Sequence, residues 1–135
     1  MTITTEQIDK RTAYLAVQGE IDLYSSGKLR SGFTSLLAAG CSRVIVDLQS
    51  LEYIDSSGVG VLIYMLQSLK KCHGTLMVTG LHGSPERVLT MSNIISLLNI
   101  YPNRQEAMQA LQIPPAAAEH NAPHQEDTSC SFPKS

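Results

Sequence analysis

Val44-Ile45-Val46-Asp47-Leu48 is a short, nearly continuous run of β-branched and aliphatic residues, the pattern of a strand covered on both faces or central in a sheet. A helix should follow such a strand, and the stretch from Ser57 to about Lys71 supplies one. It has serines at its start, Lys70 and Lys71 at its end and Gly74 just beyond, which match the preferences of helix caps and of the helix dipole. Thr75-Leu76-Met77-Val78 then reads as the next strand. Strand, helix and strand in this order form a βαβ unit, whose crossover is expected to be right-handed. The fold class is therefore α/β.

Working outward, Ile3 to Ile8 and Thr12 to Gln18 carry β-branched and aliphatic residues around a polar Asp9-Lys10-Arg11 break, which predicts a hairpin. Leu29, Phe33, Leu36 and Leu37 fall at i, i+4, i+7 and i+8, with Gly40 as the stop of an amphipathic helix. Ser84-Pro85-Glu86 has the N-cap and N1-proline signature of a further helix, and Asn103 with Glu106 resembles a capping arrangement for a last one carrying Met108 and Leu111. No repeat at a fixed period is visible. Composition shifts near Ile113, where Pro114-Pro115 opens a polar end. The expected organisation is one domain over residues 1–112 and a flexible tail over 113–135.

Bulk properties narrow the function. Of the 135 residues 43% are hydrophobic, enough for one core and too few residues for two ordinary domains. Lys and Arg total 10 against 12 Asp and Glu, with neither sign gathered into a patch that suits nucleic acid or anionic lipid. Cys41, Cys72 and Cys130 are an odd number at wide spacings, without a paired zinc pattern or the density of a disulfide scaffold. With neither a basic leader followed by an apolar run nor a membrane-length segment, a cytoplasmic protein without membrane insertion is expected.

The segment with chemical character is Tyr53-Ile54-Asp55-Ser56-Ser57-Gly58-Val59-Gly60, which joins a strand region to a helix that is apolar on nearly every side. Val59, Leu62, Leu66 and Leu69 form one stripe, while Val61, Ile63, Tyr64 and Met65 fill other faces that are candidates for a partner surface. Gly58 and Gly60 each cost about 1 kcal/mol of helix propensity relative to alanine in a helix interior, which points to a close approach of backbone. On its own, Asp-Ser-Ser-Gly is also ordinary turn and cap composition, and Ser57 is read either as the cap or as a second modifiable hydroxyl.

Gly19-Glu20-Ile21-Asp22 followed by Asp55-Ser56-Ser57-Gly58-Val59-Gly60 resembles the anti-sigma factor antagonist branch of the STAS family over residues 2–112. The resemblance implies a STAS fold: a single mixed sheet of four to five strands packed by about four helices. It also implies phosphorylation at Ser56, with Ser57 as the secondary candidate, and a partner-binding surface that includes Asp22, Asp55, Ser57, Gly58, Val59 and Gly60. The implied partners are an anti-sigma factor serine kinase of the histidine-kinase-like ATPase type and a metal-dependent serine phosphatase. The unmodified protein then binds the kinase and releases a sigma factor. The resemblance places Asp22 at the partner-facing end, and a plain capping role for it stands equally open. Val59 occupies a position where leucine is usual in the family, and the tail after Ile113 is an addition.

Other chemistries have less to stand on. The motif is not the Gly-x-Ser-x-Gly of a serine hydrolase, and neither His73 nor His82 has a clear claim to the base role; both read as loop or helix-end residues. Gly58-x-Gly60 lacks the lysine of a phosphate-cradling loop. His120 and His124 have helical metal spacing but lie in the proline-bearing tail. No catalytic residue, metal or cofactor is expected. The runner-up is a STAS module outside sigma control, serving as a signalling output or a transport-system subunit.

Overall fold

The computed structural model describes residues 1–111; the expected tail at 113–135, with His120 and His124, lies outside them. The hairpin forms as expected from β1 (Thr2–Gln7) and β2 (Thr12–Ile21), antiparallel with Thr2 opposite Gln18 and Gln7 opposite Ala13. Its turn is closed by Asp9, whose Oδ1 accepts from the N–H groups of Arg11 at 2.9 Å and Thr12 at 2.8 Å.

With ten residues, β2 is long enough to pair twice. Its first half runs parallel to β3 (Arg43–Asp47), and its far end runs parallel to β4 (Leu51–Ile54). Between β3 and β4 the chain sidesteps. Leu48 N–H donates to Thr79 O at 2.8 Å, and Gly19 N–H donates to Ser50 O at 3.1 Å where the β2 register shifts. Helix α2 (Ser56–Lys71) then leads to β5 (Thr75–Thr79), parallel and adjacent to β3, as the βαβ reading requires. A last strand, β6 (Asn99–Tyr101), pairs with β5, so the order is β1-β2-β3-β5-β6 with β4 beside β2.

The mixed sheet thus has six strands where four to five were expected. β4 and β6 have four and three residues, too short to show an alternation of their own. The other helices are α1 (Ser26–Ala38), α3 (Gly83–Met91) and α4 (Arg104–Ala110). Leu29, Phe33 and Leu36 are the buried stripe of α1, and Gly40 follows with φ of 96°, a conformation that favours glycine at a helix end. Asn103 caps α4 as expected, accepting from Glu106 N–H at 2.9 Å. The start of α3 differs. His82 is the cap residue, in extended backbone, and Ser84 lies inside the first turn, because the helix begins one residue earlier than the Ser-Pro pair implies.

The main core lies between one sheet face and α1, α2 and α3, and includes Val44, Val46, Leu62, Leu69, Val78 and Leu89. On the opposite face, Ile45 and Met77 are covered by Ala107 of α4. Both faces of β3 are therefore buried, which is the physical reason for its unbroken β-branched run. Among the described residues no helix is long and apolar enough to cross a membrane.

The α4 side is tied by a polar group. Tyr14 donates its hydroxyl to Asp47 Oδ2, the Arg104 guanidinium stacks 4.1 Å from the Tyr14 ring centre, and Arg104 pairs with Glu6 at 3.1 Å. Burial, with the Asp47 bond second, pushes the Tyr14 phenol up from 10.0 to about 12. A group that holds its proton more tightly when folded contributes stability that is complete below its unfolded pKa and is lost as pH rises through the folded one. Wild-type protein should therefore lose stability between pH 10.0 and about 12, and Tyr14→Phe should show a flatter profile over that range in urea denaturation followed by circular dichroism.

Candidate functional site

The far ends of β2 and β4 lie side by side, with Ile21 opposite Ile54. The residues that follow each strand, Asp22 and Asp55, are thereby brought together, and Asp55 N–H donates to Ile21 O at 3.1 Å. This single register joins the two sequence segments on which the resemblance rested.

Asp55 is the N-cap of α2. Its backbone is extended, and its Oδ1 accepts from the N–H of Ser57 at 2.8 Å and of Gly58 at 3.3 Å. That corrects the reading of Ser57 as the cap: Ser57 is the second helical residue and donates its N–H to the cap. Aspartate satisfies these orphan donors and adds charge at the positive end of the dipole, so the preference of caps for aspartate could have pointed to it. Ser56 is the first residue of the helix and is exposed. No acidic residue occupies the first turn of α2, and Lys70 and Lys71 sit in its last.

The two glycines differ. Gly58 is buried, and a Cβ there would come within 2.5 Å of Ile54 Cγ1 and 2.7 Å of Ile21 Cγ2, so it lets α2 sit directly on the β2–β4 ends. Gly60 is exposed, and a Cβ there would meet nothing within 4 Å. Val59 is buried beside Gly58. Of the other apolar faces of α2, Val61 and Met65 are buried, because α1, β4 and β5 all pack against this helix. Only Ile63 is exposed, at 36%. Tyr64 is half-buried, edge-on to Phe33 and under the Arg30 guanidinium at 4.0 Å.

Asp22 precedes the Ser25 cap position of α1 by three residues, so it does not cap that helix directly. Its Oδ1 accepts from the N–H groups of Tyr24 and Ser25, each at 3.0 Å, and from Ser25 Oγ at 3.0 Å, while Asp22 N–H donates to Ser25 Oγ at 2.9 Å. The Ser25 hydroxyl, with these backbone donors, holds the Asp22 carboxyl below its ordinary pKa. The turn so closed presents Leu23 and Tyr24 to solvent, two residues that the sequence reading passed over. The D-x-x-S spacing of an Asx-type turn was the available signal.

His73 sits in the α2–β5 turn with φ of 60°, and His82 at the start of α3 has Nε2 2.9 Å from Gln49 O. Both are loop or helix-end residues as expected. No hydrogen bond joins either to Ser56 among the described residues. Nor do the described residues hold a group of three metal-ligating side chains.

The STAS domain family profile matches residues 3–107, and the chain belongs to that family. It is 26% identical over 98 residues to the anti-sigma F factor antagonist of Paenibacillus polymyxa, an alignment covering 72% of this chain and 84% of the relative. Its fold is that of the anti-sigma factor antagonist SpoIIAA, solved unphosphorylated (TM-score 0.68, 18% identity, 84% of this chain and 100% of the other). The Bacillus SpoIIAA in phosphorylated form matches with TM-score 0.66 and 19% identity over 82% of this chain and 99% of the other.

Two variants test the site's construction by urea denaturation. Gly58→Ala should destabilise the fold by roughly 1–3 kcal/mol through overpacking against Ile54 and Ile21, although alanine is the better helix former. Asp55→Ala should cost about 1 kcal/mol through loss of the cap.

Proposed function

We propose that the chain is a phosphorylation-switched binding protein of the anti-sigma factor antagonist kind. Unmodified, it binds an anti-sigma factor serine kinase of the histidine-kinase-like ATPase type in the cytoplasm and so frees a sigma factor. Phosphorylation of Ser56 blocks that binding, and a metal-dependent serine phosphatase restores it. The chain is then a substrate of both enzymes, and residues 1–112 form the switching domain. The observation that carries the reading is the exposed Ser56 hydroxyl on the first residue of α2, between the Asp55 cap and the Asp22 turn. The name of the Paenibacillus relative and the two solved forms of SpoIIAA support it.

The physics favours a surface switch. A phosphoserine carries about −1.5 to −2 charge and is tolerated at a helix N-terminus. Asp55 already satisfies the N–H groups of Ser57 and Gly58, so the added charge has little reason to reorganise the helix and acts on whatever approaches it. Brought to about 6 Å from one carboxylate at an effective dielectric near 20, it is repelled by on the order of 5 kcal/mol before salt screening. A third of that lowers affinity roughly tenfold.

With the cognate kinase and Mg-ATP, the wild type should gain one phosphate, mapped to Ser56 by mass spectrometry, and Ser56→Ala none. Ser56→Asp should weaken kinase binding at least about tenfold with unchanged circular dichroism. Modification confined to Ser57, or an unaltered affinity for Ser56→Asp, would contradict the assignment.

A further inference from the structure

We infer that the partner is held in the unmodified state by two features beside Ser56: an open strip of α2 centred on Gly60, against which the partner's main chain lies, and an apolar anchor made by Leu23 and Tyr24. This rests on the switching function proposed above and adds the contacts that a phosphate on Ser56 would break.

The first observation is a glycine that the fold does not need. Gly60 lies inside α2, where glycine costs about 1 kcal/mol relative to alanine, yet an added Cβ would meet nothing within 4 Å. Gly58, two residues earlier, is explained by Ile54 and Ile21; Gly60 is explained by nothing in the described residues. Gly27, in the first turn of α1 and three residues beyond Tyr24, is also exposed and open. Both glycines thus sit near the starts of the two helices that border the Asp22–Asp55 junction. What Gly60 leaves uncovered is helix backbone, and a bare helix surface admits a partner's main chain closer than any side chain would allow.

The second observation is geometric. Ser56, Gly60 and Ile63 are spaced i, i+4 and i+7, so they share one face of α2, and all three are exposed. One helical turn, about 5.4 Å, separates Ser56 from the bare strip. A main chain lying against Gly60 therefore covers the space into which a phosphate on Ser56 would extend.

The third is the loop between β2 and α1. Leu23 is 69% and Tyr24 91% exposed, an apolar pair without packing partners in the core. The loop is nonetheless held, because Asp22 Oδ1 accepts from the N–H groups of Tyr24 and Ser25. The bond from Asp55 N–H to Ile21 O fixes its distance from Ser56. Exposed tyrosines presented on a closed turn lose little freedom on binding and are common interface anchors. The occupant is the kinase of the proposed switch, through a surface that is apolar where it takes Leu23 and Tyr24 and close-packed where it crosses Gly60. Such a surface has no room and no counter-charge for a phosphate, so exclusion is steric as well as electrostatic.

The test uses the full chain and the kinase that phosphorylates Ser56, with affinity read by titration calorimetry and stability by thermal denaturation. Gly60→Ala should raise or preserve Tm while weakening binding tenfold or more, opposite signs that a structural role cannot produce. Leu23→Ala and Tyr24→Ala should each keep Tm and weaken binding by a similar factor. Leu97→Ala, an exposed apolar truncation before β6, should change neither. Wild-type affinity in Gly60→Ala and in the two loop variants, with Ser56 still phosphorylated, would overturn this inference and leave the switch standing. Absence of any kinase that binds or modifies the wild type would overturn both.

Discussion

The hydrogen bond from Asp55 N–H to Ile21 O is the constraint on which the site depends. It is the last rung of the parallel pairing between β2 and β4, and on its far side Asp55 turns from strand partner to helix cap. Everything nearby inherits that position. Asp22 follows Ile21, Ser56 follows Asp55, and Gly58 has no side chain because α2 must begin in contact with Ile21 and Ile54. A strand pairing, a helix start and two loops are thereby set by one short stretch of backbone.

The same arrangement separates support from display. The buried side of α2 carries Val59, Leu62, Met65 and Leu69, and packing against β5, β4 and α1 holds the helix in place. Its outward side carries Ser56, Gly60 and Ile63. A charge added to the outward side meets neither the core nor an unsatisfied backbone donor, since Asp55 already occupies the first-turn N–H groups. That is how a modification acts on recognition while leaving the fold intact. The opposite sheet face, closed by α4 and the Tyr14–Asp47–Arg104 group, belongs to the stability of the domain.

Legibility in the sequence followed the length and burial of each element. Val44–Val46 announced itself because both faces of β3 are covered, and the α1 stripe because it is long and periodic. The strands β4 and β6 were hidden by their brevity, and without β4 the junction of Asp22 with Asp55 could be reached only through the family resemblance. The start of α3 was misplaced because a Ser-Pro pair imitates a cap that His82 in fact occupies. Gly58 and Gly60 look alike in sequence. What distinguishes them is the position of two isoleucine side chains, one of them far away along the chain, which no local pattern records. Leu23 and Tyr24 were passed over for a related reason: exposed apolar residues carry no periodic signal.

The central claim is that modification of Ser56 is a local surface event on an unchanged fold. The most direct measurement is a comparison of amide NMR spectra of the unmodified and Ser56-phosphorylated protein. The account predicts shifts confined to the Asp22–Ser25 turn, the β4–α2 junction and the first two turns of α2, with β3, β5 and α4 unmoved. Shifts spread through those distant elements, or loss of the α2 resonances, would contradict it.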